Sequence, residues 1–253
     1  MEIRPKADLR HEIKFLINHT QQLALLAALE RHLQPDRHAD GHGRYLVTSL
    51  YYDTADYKAY WDKVDGFSFR RKVRVRLYGD QPVTPASPVF LEIKARQGTR
   101  MGKRRLRLPY AEAINFGAVA VDGAHLAPEE QATAQELHYL FAALQLQPTC
   151  VVSYQRAAYG GHADHPDLRV TFDTAVRGRI ENLSLLATDA GATSSLLDPG
   201  WAILEVKVNQ TIPFWLGELL SQLGCTPRRI SKYCATLERC RAIRRSQHIY
   251  QSR

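Results

Sequence analysis

Arg70, Lys72, Arg74 and Arg76 recur at every second position of a ten-residue stretch, Phe69 to Tyr78, with Val73, Val75 and Leu77 between them. A β-strand sends alternate side chains to opposite faces, so the stretch presents one cationic face and one apolar face. Like charges two residues apart repel, and an anion must make the arrangement tolerable. Arg binds phosphate oxygens as a fork and Lys as a point charge, so the chemistry on offer is phosphate recognition. No Ser-His-Asp or Cys-His arrangement is evident, which points away from covalent nucleophilic catalysis.

The same signature returns elsewhere. Arg10, Glu12 and Lys14 alternate with His11, Ile13 and Phe15; Glu92 and Lys94 alternate with Leu91, Ile93 and Ala95. Lys103, Arg105 and Arg107 share a face, as do Arg169, Thr171 and Asp173, and Glu205 with Lys207. Leu91-Glu92-Ile93-Lys94 and Leu204-Glu205-Val206-Lys207 repeat one four-residue pattern. A single alternating charged strand is usually a solvated sheet face. Several concordant ones suggest a curled antiparallel sheet that closes with its charged faces inward. Such a lumen, dry, would cost several kcal/mol per uncompensated charge. Water and a polyanion relieve that cost. The few carboxylates among the cations suit ion pairing, or a divalent cation that bridges phosphate oxygens.

The elements that would position these groups can be read in order. Helices are expected over Thr20–Leu33, Thr54–Tyr60, Pro128–Leu146, Ile212–Leu223 and Ser231–Arg244, with Gln34–Gly43 and Asp80–Pro88 as loops. Tyr110–Gly123 gives no clear pattern. Strands are expected over Arg10–Ile17, Tyr45–Asp53, Phe69–Tyr78, Phe90–Lys94, Lys103–Leu108, Val151–Tyr159, Leu168–Asp173 and Ala202–Val208. The apolar helix stripes need a partner, and the outer face of a closed sheet provides one. Tyr51, Tyr52 and Tyr154 read as packing residues.

Composition agrees with this chemistry. The 253 residues carry a formal net charge of +8, which points to an anionic partner. Hydrophobic residues make up 45% of the chain, enough for a sizeable core. Cys150, Cys225, Cys234 and Cys240 form no CxxC pair and read as reduced thiols. The N-terminus shows no signal-peptide pattern, and no run has the length of a membrane span, so a cytoplasmic location is expected. No linker composition divides the chain, and 1–253 reads as one domain.

The ordered set of motifs resembles the catalytic, polyphosphate polymerase domain of the vacuolar transporter chaperone family, in the CYTH/triphosphate tunnel metalloenzyme superfamily. The resemblance rests on Arg10–Lys14, Ser49–Asp53, Lys72–Arg76, Leu91–Lys94 and Lys103. It continues through Tyr154–Arg156, Arg169–Asp173, Leu204–Lys207 and Ser231–Tyr233. It implies an α+β fold, an eight-stranded antiparallel β-tunnel with a basic lumen and helices packed outside. It implies transfer of the ATP γ-phosphoryl group to a growing inorganic polyphosphate chain. Lys14, Arg74, Arg76, Lys94, Arg156, Arg169 and Lys232 would act on the reacting phosphates, and Lys72, Lys103, Arg10 and Arg105 would bind substrate. Glu205 would be the principal ligand of Mn²⁺ or Mg²⁺, with Glu12 and Glu92 as helpers. A tunnel triphosphatase or a non-catalytic polyanion-binding module would share most of these residues. Nucleic acid is not expected, since no basic surface interleaved with aromatics is evident. Unlike fungal family members the chain shows no SPX segment and no membrane helices. A membrane partner for export would therefore be a separate protein.

Overall fold

The computed structural model describes residues 10–36, 43–118, 126–162, 165–186, 193–240 and 242–243. The chain opens with β1 (Arg10–Ile17), α1 (His19–Leu29), β2 (Gln34–Pro35), β3 (Arg44–Asp53) and α2 (Lys58–Val64). Next come β4 (Phe69–Tyr78), β5 (Pro88–Gln97), β6 (Arg100–Pro109), α3 (Tyr110–Asn115) and α4 (Pro128–Leu144). It ends with β7 (Gln147–His162), β8 (His165–Arg179), β9 (Ser194–Ser195), β10 (Ala202–Val208), α5 (Phe214–Gln222) and α6 (Lys232–Arg239).

Every ladder is antiparallel. The order β7-β3-β4-β5-β6-β1-β10-β8 closes through a β7–β8 ladder, giving an eight-stranded barrel with helices outside. The two-residue strands β2 and β9 extend the ladders of β7 and β8. One seam is thin: β1 meets β6 only at Arg10↔Met101 and His11↔Arg100. The free edge of β1 is covered instead by the segment leading to α6. Phe15 bridges Pro227, and the Arg228 N–H donates to the Lys14 carbonyl at 2.7 Å.

Three apolar clusters hold the barrel. On one outer side Val73, Val75, Leu91 and Ile93 pack under Phe116 of the α3 end and under Leu137 and Leu140 of α4. On another, Phe15, Phe172 and Leu204 meet Leu25 of α1 and Leu216 of α5. Burying a side chain of this size contributes about 2 kcal/mol each. The third cluster faces inward. Val47, Tyr51, Val152, Tyr154 and Ile203 lie in the same register as the charged lumen residues, and Tyr233, Cys234 and Leu237 of α6 pack onto them. α6 therefore docks on inward-facing residues beside one mouth of the barrel, where Lys232 and Tyr233 become part of the cavity wall, rather than covering the outside.

Several boundaries move. α1 begins at His19 because Asn18 caps it, its side chain accepting from the Gln21 N–H while Gln21 answers to the Asn18 N–H. α2 starts at Lys58, not Thr54. The Asp53 carboxylate accepts from the N–H groups of Thr54, Ala59 and Tyr60 and so sets that turn. The expected Gln34–Gly43 loop contains β2, and its residues 37–42 lie outside the described residues. The same holds for residues 119–123 of the unassigned stretch and for residues 241 and 244 of the last expected helix. Among the described residues no helix is long and apolar enough to cross a membrane.

Candidate functional site

The inward register of the barrel encloses a cavity of about 1840 Å³. Lys72, Arg74 and Arg76 enter it from β4, Lys94 from β5, and Lys103 with Arg105 from β6. Arg10, Glu12 and Lys14 come from β1, Arg156 from β7, Arg169 from β8, and Glu205 with Lys207 from β10. Lys232 arrives from the first turn of α6, where the Ser231 hydroxyl caps the helix by accepting from the Cys234 N–H. The strand pattern thus explains these cations except Lys232, which depends on where α6 docks. Lys63 of α2 and Arg228 and Arg229 of the segment before α6 also line the cavity without belonging to a strand.

Glu205 is the centre of the charge pattern. Its Oε1 lies 3.1 Å from both Lys14 Nζ and Lys232 Nζ; its Oε2 lies 2.9 Å from Lys207 Nζ and 3.4 Å from Arg156. Burial alone would push this carboxyl up. Lys14, Lys207, Lys232 and Arg156 together reverse that and hold it well below the usual carboxylate range. Asp173 sits beside it, accepting both forks of Arg156 at 2.7 Å and Lys232 at 2.5 Å. Glu12 takes Lys94 at 3.0 Å and Lys14 at 3.5 Å. Desolvation pulls the Lys94 ammonium down to about 7 despite that partner.

A second group forms on the β4–β5 wall. Arg74 donates from Nε and Nη2 to Glu92 Oε2 at 2.9 and 2.7 Å, and from Nη1 to the Tyr51 hydroxyl at 3.0 Å. Glu92 is 0% exposed and sits behind Arg74, with Lys103 at 3.5 Å. Burial would raise its pKa; Arg74, Arg76 and Lys103 bring it to about 2. Arg76 differs. It donates to the Ser49 hydroxyl and the Tyr154 hydroxyl, both at 3.0 Å, and no carboxylate among the described residues pairs with it. That guanidinium is held in place by neutral acceptors and keeps its charge for a ligand.

Glu12 and Glu205 share Lys14, whereas Glu92 belongs to Arg74. Among the described residues no group of three or more His, Cys, Asp or Glu could hold a metal ion. The donor set still suits one class of ion. Mg²⁺ and its relatives are commonly held by one or two carboxylates, with substrate phosphates completing the shell. Arg169 stands at the edge, paired to Asp36 at 2.6 Å and 3.4 Å from the Tyr45 hydroxyl. Arg107 is exposed, away from the cavity lining.

Some residues escaped the sequence reading. Asp173 was visible as a charge in an alternating strand, but nothing in the spacing revealed that it anchors Arg156 and Lys232. Tyr51 and Tyr154 do pack, yet their hydroxyls also orient Arg74 and Arg76. Thr171, in inward register between Arg169 and Asp173 and opposite Glu205, has a fully buried hydroxyl without a partner. Only its place in the alternation hinted at it.

A family model described as the VTC domain matches residues 9–240. Vacuolar transporter chaperone complex subunit 4 of Trypanosoma cruzi is 26% identical over 204 residues, covering 69% of this chain and 25% of that protein. The chain thus spans about a quarter of the length of this curated relative. Among solved structures, a candidate adenylate cyclase from Bacillus halodurans gives a TM-score of 0.48 at 13% identity, over 88% of this chain and 94% of that one. A candidate adenylyl cyclase from Hippeastrum, described with a dominant triphosphatase activity, gives 0.45 at 12%, over 92% and 95%. With the match running from the first strand through the last helix, the chain belongs to the VTC domain family.

Proposed function

We propose that the protein is a metal-dependent polyphosphate polymerase that transfers the ATP γ-phosphoryl group to inorganic polyphosphate. The observation that carries this reading is a cationic cavity lined from one end of the strands to the other. On β4 its lining runs from Arg70 to Tyr78, and on β5 from Phe90 to Arg96. Phosphoryl transfer needs the attacking and leaving oxygens in line. A cavity reaching both ends suits a donor entering from one side and an acceptor chain from the other. Hydrolysis would require only one. Membership of the VTC domain family and the likeness to a vacuolar transporter chaperone subunit support the same reading.

In this reaction a terminal phosphate oxygen of the chain attacks the γ-phosphorus, the bond to the β–γ bridging oxygen breaks, and ADP leaves. The nucleophile is already ionised, so no strong general base is needed. Arg76 and Arg74, fixed by Tyr154 and Tyr51, would grip nonbridging oxygens with preset geometry. Lys14, Lys94, Arg156 and Lys232 would exchange part of their carboxylate pairing for phosphate as the ligand enters. Arg10, Lys72, Lys103, Arg105 and Arg169 would guide substrate into position. A divalent cation, Mn²⁺ or Mg²⁺, held by Glu205 with Glu12 and by phosphate oxygens, would neutralise charge on the reacting phosphates. Glu92 supports Arg74 and is poorly placed for that task.

The test is incubation of the purified protein with ATP and Mn²⁺, with the products run on a polyphosphate gel beside assays of ADP and orthophosphate. A ladder of chains with matching ADP is the expected outcome. Orthophosphate without chains would replace this reading with a triphosphatase, and binding without either product would leave a polyanion-binding module.

A further inference from the structure

The two ends of the cavity are built from different side chains. Arg70 and Tyr78 lie near opposite ends of β4, eight residues and about 26 Å apart along the strand. At the Tyr78 end, three rings from adjacent strands form a row. Tyr45 and Tyr78 meet edge-to-face with centroids 5.9 Å apart, and Tyr78 and Phe90 at 5.8 Å. The Arg105 guanidinium lies over the Phe90 ring, 4.3 Å from its centroid. All four residues line the cavity, and Tyr78 is 41% exposed. Two residues inward on the same face of β4 is Arg76, the guanidinium without a carboxylate partner.

The Arg70 end is of another kind. Lys63, Arg70, Arg96, Arg228 and Arg229 line it, and no carboxylate among the described residues forms an ion pair with any of them. Arg96 and Arg229 lie close enough to Arg70 to repel its charge. Phe67 lines this end with a ring that meets no other ring among the described residues. Tyr233 lies deeper, 2% exposed beneath the Lys72 ammonium and against Tyr51, closed to an incoming base.

We infer that the aromatic end receives the nucleoside of the nucleotide and that the Arg70 end receives the polyphosphate chain. Any base offers a π-face for stacking on an aromatic platform flanked by an arginine. An inorganic chain has no such face, and carries a charge at every phosphate that only cations reward. With the base at Tyr78, the triphosphate points inward past Arg76 toward Lys14, Arg156 and Lys232. ADP then returns by the aromatic end, while the chain lengthens outward through the Arg70 end. This assignment rests on the polymerase reading for its chemistry, but its test needs no turnover.

The experiment is equilibrium binding of ATP, tripolyphosphate and long-chain polyphosphate at one fixed salt concentration. Tyr78→Ala should weaken ATP about tenfold, the order of one lost stacking contact, and leave tripolyphosphate affinity unchanged. Tyr78→Phe should bind ATP as the native protein does. Should Tyr78→Ala prove unstable, Tyr78→Leu, which lacks the aromatic face, carries the same expectation. Arg228→Ala combined with Arg229→Ala should weaken long-chain polyphosphate about tenfold, reduce its salt dependence and spare ATP. Equal loss of ATP and tripolyphosphate in Tyr78→Ala would mean that the ring merely supports Arg76, and would overturn the assignment. Selective loss of ATP in Phe67→Ala would reverse the polarity and overturn it as well. A protein that releases only orthophosphate while discriminating ATP through Tyr78 would refute polymerisation and leave the nucleoside end in place.

Discussion

Lys14 and Glu205 stand directly opposite each other in the β1–β10 ladder, with Nζ and Oε1 3.1 Å apart. The pair is the midpoint of a cluster in which one carboxylate faces Lys14, Lys207, Lys232 and Arg156. Removing that carboxylate's charge leaves Lys207 without its partner and Lys14, Lys232 and Arg156 dependent on Glu12 and Asp173 alone, which costs about 3 kcal/mol. Glu205→Gln should therefore lower the melting temperature without ligand, and tripolyphosphate should restore much of the loss by supplying the missing negative charge. Turnover should fall by ~100-fold or more, because the carboxylate is the principal ligand of the proposed divalent cation. Thermal melts with and without tripolyphosphate, beside product assays, check both parts. Full activity in the variant would remove Glu205 from the proposed metal site.

Arg74 and Arg76 are neighbours on one face of β4, yet they should respond differently to substitution. Arg76 is held by Ser49 and Tyr154, so Arg76→Ala should cost little stability. It should weaken triphosphate binding by about tenfold to a hundredfold, the range of a charge-assisted contact. Arg74→Ala leaves the buried Glu92 with only the more distant Lys103 as a partner, and should destabilise the fold by about 3 kcal/mol. Replacing both arginines should weaken triphosphate binding beyond either single change. Denaturant unfolding paired with calorimetric titration separates the two effects. Equal destabilisation by both single variants would contradict the distinction.

The Arg74–Glu92 pair also sets an acid limit. The folded-state pKa of Glu92 is about 2, against an ordinary glutamate value of 4.5. Because the folded carboxylate gives up its proton more readily, the pair's stabilisation is fully present above about pH 4.5. It declines as pH falls toward 2, where the unfolded chain already holds the proton. The window corresponds to about 3 kcal/mol, at roughly 1.4 kcal/mol per pH unit. Glu92→Gln should be less stable than the native protein at pH 7, and the difference should shrink steadily from pH 4.5 to 2. A stability gap that stayed constant over that range would show that Glu92 titrates normally.

Much of this architecture is legible in the sequence because strand alternation is a local signal. Arg74 and Glu205 declare their face by their neighbours alone, and the repeated inward charge requires a closed sheet with a wet interior. The ordered motifs then supply the strand number. Other features depend on which strands become adjacent. Tyr45, Tyr78 and Phe90 are scattered in the chain and form a row only after β3, β4 and β5 pair side by side. Asp173 looks like any charge on a solvated face until β7 brings Arg156 opposite it. The position of α6 is equally hidden. Its apolar residues read as a stripe for the outer sheet, but they meet the inward-facing Tyr51 and Val152 instead.

That position of α6 depends on the absence of a side chain at Gly178. A β-carbon built there would lie 2.5 Å from Thr236 Oγ1 and Cγ2, too close for both to remain. β8 at Gly178 pairs with Val152 and with Ser194, so the strand has neighbours on both sides and little room to retreat. The helix is the freer partner. Gly178→Ala should push the Thr236 turn away and with it the first turn that carries Lys232 to Glu205 and Asp173. The expected cost is about 1 to 3 kcal/mol from overpacking, accompanied by weaker tripolyphosphate binding. Thr236→Ala removes both clashing atoms, so the double variant should recover stability and binding together. Thermal unfolding and calorimetric titration of the single and double variants make the comparison. Recovery of stability without recovery of binding would show that the loss of binding does not arise from displacing Lys232.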